Sequence, residues 1–310
     1  MKRNPIEVKS RRLLILSDGK PGHVNQSIAF AKHLGYDFDL SLVRFKSRWA
    51  KGLSYLYDRC GLLNRRLFSV EVEKADYVAI VSAGSDTYFA NRVLASELKT
   101  KSVAIMLPKG YRYHFDLIVA QQHDQPPKRN NLISIPINLS YVEPKDLVKT
   151  CPGRKSVSVI IGGNSKLFTL DPARLRQQLE MIFPLFPGYE FWVTTSRRTP
   201  PEIETLLKEF PFSYAVFYSE QQINPIPDFL SQSEYVFLTA DSTSMISEAV
   251  SFGNAFVEVL PLTRPLANND KFSRFIHTLV DDGCLHLFNG QLGHAAGKIN
   301  LPAYFSGICL

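Results

Sequence analysis

Short apolar runs followed by polar, glycine-bearing turns recur along the chain, and each such pair predicts a buried strand running into a helix. The first run is residues 13–16, which leads into Ser17-Asp18-Gly19-Lys20-Pro21-Gly22-His23; beyond it Val24, Ile28, Ala31 and Leu34 repeat at helical spacing until Gly35 ends the pattern. Residues 77–81 run into a second unit of this kind, and residues 103–107, 115–119 and 132–139 read as further strands. The pattern lapses over residues 144–154, which are polar and carry Pro and Gly, and then starts afresh at residues 157–161. Strands at 190–194, 214–218, 234–238 and 255–260 follow, so the chain reads as two βα-alternating domains, 1–150 and 151–310.

The turns hold the candidate chemistry. Asp18, Lys20, His23, Asn25 and Gln26 gather at the carboxyl end of the first strand, where open parallel sheets bind ligands, although the same residues also suit a tight turn. In the second half Gly162 and Gly163 follow a strand directly and would let a ligand approach the backbone, and Asp171-Pro172 predicts an N-cap and first helical residue. Arg197 and Arg198 leave a strand just before a helix, where guanidinium groups suit a diphosphate; Pro200 and Pro201 also make this a plain helix start. The stretch TADSTSMISEAVSFG from Thr239 to Gly253 places Asp241, Ser242, Thr243 and Ser244 at a helix start, whose unpaired N–H groups favour an anion. Those hydroxyls also suit a well-capped helix. Glu248, one turn further in, favours a ligand, because a carboxylate there suits the vicinal hydroxyls of a ribose.

Composition narrows the class. The 310 residues, 45% hydrophobic and 21% charged, are enough to bury a core in each domain. Lys and Arg outnumber Asp and Glu by 36 to 29, a formal charge of +7 that fits phosphates, nucleic acid or an anionic membrane surface without choosing among them. Cys60, Cys151, Cys284 and Cys309 lie far apart in no CxxC or Cys/His pattern, which predicts a reducing cytoplasmic setting and no structural zinc. The run after the basic first twelve residues is too short for a signal peptide or span.

One segment differs from the rest. Residues 42–68 carry Arg44, Lys46, Arg48, Lys51, Arg59, Arg65 and Arg66 against the single acid Asp58, interleaved with Phe45, Trp49, Leu53, Tyr55, Leu56 and others. Such a mixture suits the interface of an anionic bilayer, or a core-facing helix with a solvated basic face. No RNA-binding signature accompanies it. His123 and Asp124, set among Pro and Asn, read as a solvated loop.

With these residues in view, SDGKPGHVNQ, FDLIVAQQHD, IIGGNSK, TTSRRTP, LTADSTSMISEAVSFG and NDKFSRF resemble, in order and over nearly the whole chain, the elongated-mitochondria fission family and its bacterial relatives, regarded as glycosyltransferases. The turn His23-Val24-Asn25-Gln26-Ser27 is also similar to the start of the lipid-acceptor transferase of peptidoglycan synthesis. The chain departs from the family pattern at Met106-Leu107-Pro108-Lys109 and Pro136-Ile137-Asn138-Leu139, which touches acceptor recognition.

The resemblance implies a GT-B-like α/β fold: two Rossmann-like domains facing across a cleft, the first on the acceptor side and the second binding a nucleotide sugar. It implies transfer of a sugar from that co-substrate to a cell-surface or lipid-linked glycan of lipopolysaccharide, O-antigen or capsule type. No cofactor or metal is expected. Arg197 or Arg198, Lys166 and the start at Ser242, Thr243 and Ser244 would hold the diphosphate, with Lys20 and Asp241 beside these ligands. Glu248 would take the ribose, Gly162, Gly163 and Asn164 would line the cleft, and Asp18 or His23 would be the base of an inverting reaction. The setting implied is cytoplasmic, peripheral at the inner face of the membrane through residues 42–68, with no nucleic-acid partner. A non-catalytic nucleotide- or partner-binding protein and a nucleotide-sugar epimerase of the same fold are the other readings.

Overall fold

The computed structural model describes residues 12–165, 167–263 and 271–310, which form two α/β units, each built on its own six-stranded sheet. In the first, β1 (Arg12–Ser17) runs into α1 (Pro21–His33) and β2 (Asp37–Leu42). Then β3 (Arg44–Phe45), α2 (Arg48–Cys60) and β4 (Phe68–Ser69) form an excursion in which the two short strands pair antiparallel. The chain returns through β5 (Tyr77–Ala83), α3 (Tyr88–Leu98), β6 (Lys101–Ile105), β7 (Leu117–Gln121) and β8 (Leu132–Ile135). The sheet order is β2-β1-β5-β6-β7-β8 with every pairing parallel.

Parallel strands covered on both faces must be apolar throughout, which is why Leu13, Leu14, Ile15 and Leu16 form an unbroken run: all four are buried. Each such side chain contributes about 1.5–3 kcal/mol of burial. After β1 the chain goes one way to β2, then crosses back over β1 to β5. The strand order therefore reverses between β1 and β5, and side chains leaving their carboxyl ends meet in a crevice.

The second unit repeats the principle with a different winding. It contains β9 (Ser156–Ile161), α4 (Pro172–Ile182), β10 (Glu190–Thr195), α5 (Pro201–Leu207), β11 (Tyr214–Val216), α6 (Ile226–Gln232), β12 (Tyr235–Thr239), α7 (Thr243–Ser251), β13 (Phe256–Leu260), α8 (Lys271–Asp281) and β14 (His286–Leu287). Its order, β11-β10-β9-β12-β13-β14, is the parallel Rossmann arrangement, reversing between β9 and β12. Asp171 caps α4 as its spacing predicts, accepting the Ala173 and Arg174 N–H groups, with Pro172 following.

The division between units differs from the 1–150 and 151–310 of the sequence reading. The first unit runs to Tyr141 and takes back Leu301–Leu310; the second is Val142–Asn300. Two anchors account for this. The Asp228 carboxylate on α6 accepts the backbone N–H groups of Lys145, Asp146 and Leu147 at 2.7, 3.0 and 2.8 Å, tying the polar linker to the second unit. At the other end Phe305 packs edge-on against Phe30 of α1, centroids 5.6 Å apart, and Lys101 donates to the Cys309 carbonyl.

Candidate functional site

At the first reversal point the turn after β1 is closed by its own side chains. The Ser17 hydroxyl accepts the Gly19 N–H at 3.0 Å, and Asp18 accepts the Lys20 N–H at 3.1 Å. Asp18 thereby points its second oxygen at two donors: Lys20 Nζ at 3.0 Å and His23 Nδ1, on the first turn of α1, at 2.8 Å. Its side chain is only 2% exposed. Burial alone would push this carboxyl up, but the hydrogen bonds from Lys20 and His23 outweigh it and hold Asp18 below the usual carboxylate range. An ionised Asp18 must accept, so His23 Nδ1 carries the proton and the Nε2 lone pair is left for another partner.

The strand across the crevice completes the cluster. Asp86, in the turn after β5, binds Lys20 Nζ at 3.0 Å and is also paired with Lys51 of α2. Burial raises the Asp86 carboxyl, yet the two lysines outweigh that and keep it ionised, while the bonds to Asp86 and Asp18 push the Lys20 ammonium up. Gly84 makes the assembly possible: its φ is +91°, and a Cβ there would stand 2.4 Å from His23 Nδ1. Gln26 turns inward instead, donating to the Gly22 carbonyl and accepting from Gln121.

At the second reversal point the packing is tighter. The Asp241 carboxylate, fully enclosed, accepts the Gly163 N–H at 3.0 Å, the Thr239 hydroxyl at 2.7 Å and Arg198 Nη2 at 2.6 Å. The Gly162 N–H goes to the Thr239 hydroxyl at 2.7 Å, and Thr199 donates to the Gly162 carbonyl. Here the glycines allow close packing of the turn itself. A Cβ on Gly162 would lie 2.1 Å from Asp241 Oδ1, and one on Gly163 2.0 Å from the Arg198 carbonyl oxygen. On the side a Cβ would occupy they admit a neighbouring carboxylate and backbone. Asp241 likewise organises the turn, with Arg198 as its ion-pair partner. Asn164 closes its own loop, its side chain accepting the Leu170 N–H at 2.8 Å. Lys166 lies outside the described residues.

What faces outward at this end is the start of α7. Ser242 caps it, its hydroxyl accepting the Met245 N–H at 3.4 Å, and the Thr243 carbonyl accepts the Ser247 hydroxyl. Ser244 is exposed, and so is Arg197; neither side chain has a partner among the described residues. Glu248 shares the Ser244 face of the helix, four residues on. The residue keeps part of its surface, but protein crowds its carboxyl closely, and burial without a hydrogen bond or cation pushes it up to about 7.

Of the sequence candidates, then, Asp18, Lys20 and His23 meet at one point of the first unit, and Ser242, Thr243, Ser244 and Glu248 on one helix of the second. Asp86, Lys51 and Gly84 were missed. The turn Ala83-Gly84-Ser85-Asp86 follows the same strand–turn–helix grammar as the turn after β1, and a reversal of strand order between the two is what brings them together. His123 and Asp124 are not a solvated loop: His123 is buried, and Asp124, 4% exposed, binds Lys109 Nζ at 2.9 Å.

Comparison with known proteins places this architecture. The crystal structure of the kitacinnamycin glycotransferase matches with a TM-score of 0.52 at 14% identity, covering 90% of this chain and 86% of that one. That of CalG4, the calicheamicin glycosyltransferase, matches with a TM-score of 0.50 at 11% identity, covering 93% and 88%. At such identities the likeness is one of fold: two Rossmann-like units of the GT-B kind. An uncharacterized protein of Rickettsia prowazekii (strain Madrid E), RP120, is 28% identical over 90% of each chain. The model of the mitochondrial fission ELM1 family matches residues 21–302, and the chain belongs to that family.

Proposed function

We propose that this chain is a glycosyltransferase that takes a sugar from a nucleotide-sugar donor held by its second unit and passes it to a hydroxyl of a cell-surface or lipid-linked glycan. The observation that carries the reading is Glu248. A carboxyl crowded by protein, given no partner by the fold and pushed up to about 7, carries a cost that a ligand donating to it would relieve, and such perturbed groups cluster at functional sites. Vicinal ribose hydroxyls, donating to it, would remove that cost. In this reading the exposed Ser244, the N–H groups at the start of α7 and the unpaired Arg197 face the diphosphate, supplying positive charge where the leaving group develops negative charge. In the first unit His23 is the base: Asp18 holds its Nδ1 proton and sets the ring, so that Nε2 accepts the proton of the acceptor hydroxyl as that oxygen attacks the anomeric carbon.

The test begins with a thermal-shift screen of UDP, GDP, CMP and ADP, since a ligand of the native state raises its melting point. Calorimetric titration of the stabilising nucleotide into Glu248→Gln follows. The charge-assisted bonds lost are worth ~1.5–3 kcal/mol, so affinity should fall by about tenfold or more. Equal affinities for variant and wild type would remove the donor site from α7.

A further inference from the structure

Helix α2 is amphipathic in the inverse sense. The face packed onto the first unit carries Ala50, Ser54 and Asp58. Ser54 meets the Tyr111 hydroxyl at 2.8 Å, and the enclosed Asp58 carboxylate accepts the Arg112 N–H at 2.7 Å and pairs with Arg92. Tyr55 and Tyr57 pack partly against the core, Tyr55 stacked on Tyr111, but the tryptophan and the leucines point the other way. Trp49, Leu53 and Leu56, at i, i+4 and i+7, are 86%, 42% and 55% exposed, and Leu62 and Leu63, directly after the helix, are exposed too. A helix that only had to cover a core would not also carry a stripe of large apolar side chains facing solvent.

The charges around this stripe are of one sign. Lys46, Arg48, Arg59 and Arg66 are exposed and have no partner among the described residues, while the segment's one acid is buried. Not every cation of the segment is available. Arg65 donates to the Phe68 and Val70 carbonyls at 3.2 and 3.0 Å and lies over the Phe68 ring, and Lys51 is held by Asp86. Leu67 and Phe68 belong to the core. The expectation of one contact segment over residues 42–68 thus resolves into a smaller outward face.

We propose that this face is a docking surface for an anionic lipid bilayer, with Trp49, Leu53 and Leu56 entering the headgroup boundary and Lys46, Arg48, Arg59 and Arg66 meeting lipid phosphates. No helix among the described residues is long and apolar enough to cross a membrane, and α2, at 13 residues, would lie in the interface. Charge chooses the occupant. A second copy of the chain packed isologously on this stripe would set four unpaired cations against the same four, whereas an anionic surface neutralises all of them. The tryptophan suits an interface with one apolar side and one wet side. The proposal stands on this face and not on the donor site. Lys51, on the inward side of the same helix, joins it to the Asp86 cluster, so a docked α2 would bring that cluster to the level where a lipid-linked acceptor resides.

The experiment is sedimentation of the full chain with vesicles of phosphatidylglycerol in phosphatidylcholine, and of phosphatidylcholine alone. Trp49→Ser/Leu53→Ser/Leu56→Ser should lower partitioning by about a hundredfold. Arg48→Ser/Arg59→Ser/Arg66→Ser should lower it by about tenfold or more at low salt and abolish the preference for phosphatidylglycerol. Both should keep the wild-type circular dichroism and nucleotide affinity, since the replaced side chains are exposed residues of the first unit. Emission of the wild type should shift to the blue on adding anionic vesicles, and the shift reports Trp49 because Trp192 is already buried. The proposal is overturned if the wild type fails to sediment with anionic vesicles at low ionic strength, or if the variants partition as it does. It is equally overturned if the wild type is a dimer that the apolar variant dissociates in analytical ultracentrifugation, because the occupant is then a second copy.

Discussion

The two reversal points occupy equivalent places in their sheets and treat charge in opposite ways. In the first unit Asp18, Lys20, His23, Asp86 and Lys51 form a chain in which each carboxylate has two cationic or imidazole neighbours, much of it open to water. In the second the acid is sunk beneath a glycine turn and fully satisfied, while Arg197, Ser244 and Glu248 are left without partners at the rim. Mutual pairing fixes side-chain geometry before any ligand arrives, which a proton-transferring group requires. Missing partners keep hydrogen-bonding capacity in reserve, which a binding group requires. The contrast fits the proposal that the first unit supplies the chemistry and the second the recognition.

The sharpest way to break that assignment is at His23. His23→Ala should lower turnover by about a thousandfold with donor affinity unchanged, and Asp18→Asn, which keeps the ring but no longer enforces its tautomer, by about a hundredfold. Single-turnover kinetics together with nucleotide titration read both quantities. A loss in affinity with no loss in the chemical step would move recognition into the first unit.

Next in size is a pH effect confined to the second. Glu248 titrates near 7 in the folded chain against 4.5 when unfolded, so between those values the native state holds a proton that the unfolded state releases. Stability therefore falls as pH rises through this window, and the loss is complete above about 7. The shift corresponds to roughly 3–4 kcal/mol before screening, and partial exposure reduces it to about 1–3 kcal/mol. Glu248→Gln should accordingly be more stable than wild type at pH 8 and equal to it at pH 4.5, in urea melts. The same residue should release a proton on binding nucleotide at pH 6.5, measurable by calorimetry in buffers of different ionisation enthalpy. The first unit behaves oppositely: Asp18 and Asp86, held below their ordinary range, contribute stability at neutral pH that is lost as pH falls through their folded values.

Gly163→Ala probes the buried turn directly. Its Cβ would strike the Arg198 carbonyl, a backbone atom that cannot rotate away, so the variant should lose about 1–3 kcal/mol or more of stability. Gly84→Ala strikes a side chain instead and should cost turnover, by displacing His23, beyond what its left-handed backbone costs in stability.

These contrasts also mark what the sequence makes legible. Strand runs such as residues 13–16 and 157–161 are readable because a buried parallel strand has no polar position to blur it. β2 is not, because as an edge strand it carries Asp37, Asp39 and Ser41 and stays largely solvent-facing. The turn candidates stand where the pattern puts them, but the pattern is silent on sheet order, and so on which turn meets which. That is why Asp86 escaped notice, and why the close packing of Gly162 and Gly163 against Asp241 and Arg198 did too. Helix α2 misleads for a third reason: periodicity reports that one face is apolar, not which way that face turns.

The smallest effect separates the two ion pairs. Lys51→Met removes one of two cations from Asp86, whose side chain is 30% exposed and keeps Lys20. Water and the second lysine screen the loss, so stability should change by under about 1 kcal/mol. Arg198→Met removes the cation from an Asp241 carboxylate with no exposure at all. The Gly163 N–H and the Thr239 hydroxyl still donate to it, which softens the penalty short of a bare buried charge, and about 1–3 kcal/mol is expected. The two numbers, taken from urea melts at the same pH, bear on function as well as on fold. If Arg198 is the partner that holds the turn, its loss should lower stability more than nucleotide affinity, and Arg197→Ala should do the reverse. Should Arg198→Met instead leave stability intact and weaken nucleotide binding, the guanidinium is free to leave Asp241 for the diphosphate, and the second unit shares the first one's habit of holding its working groups in pairs.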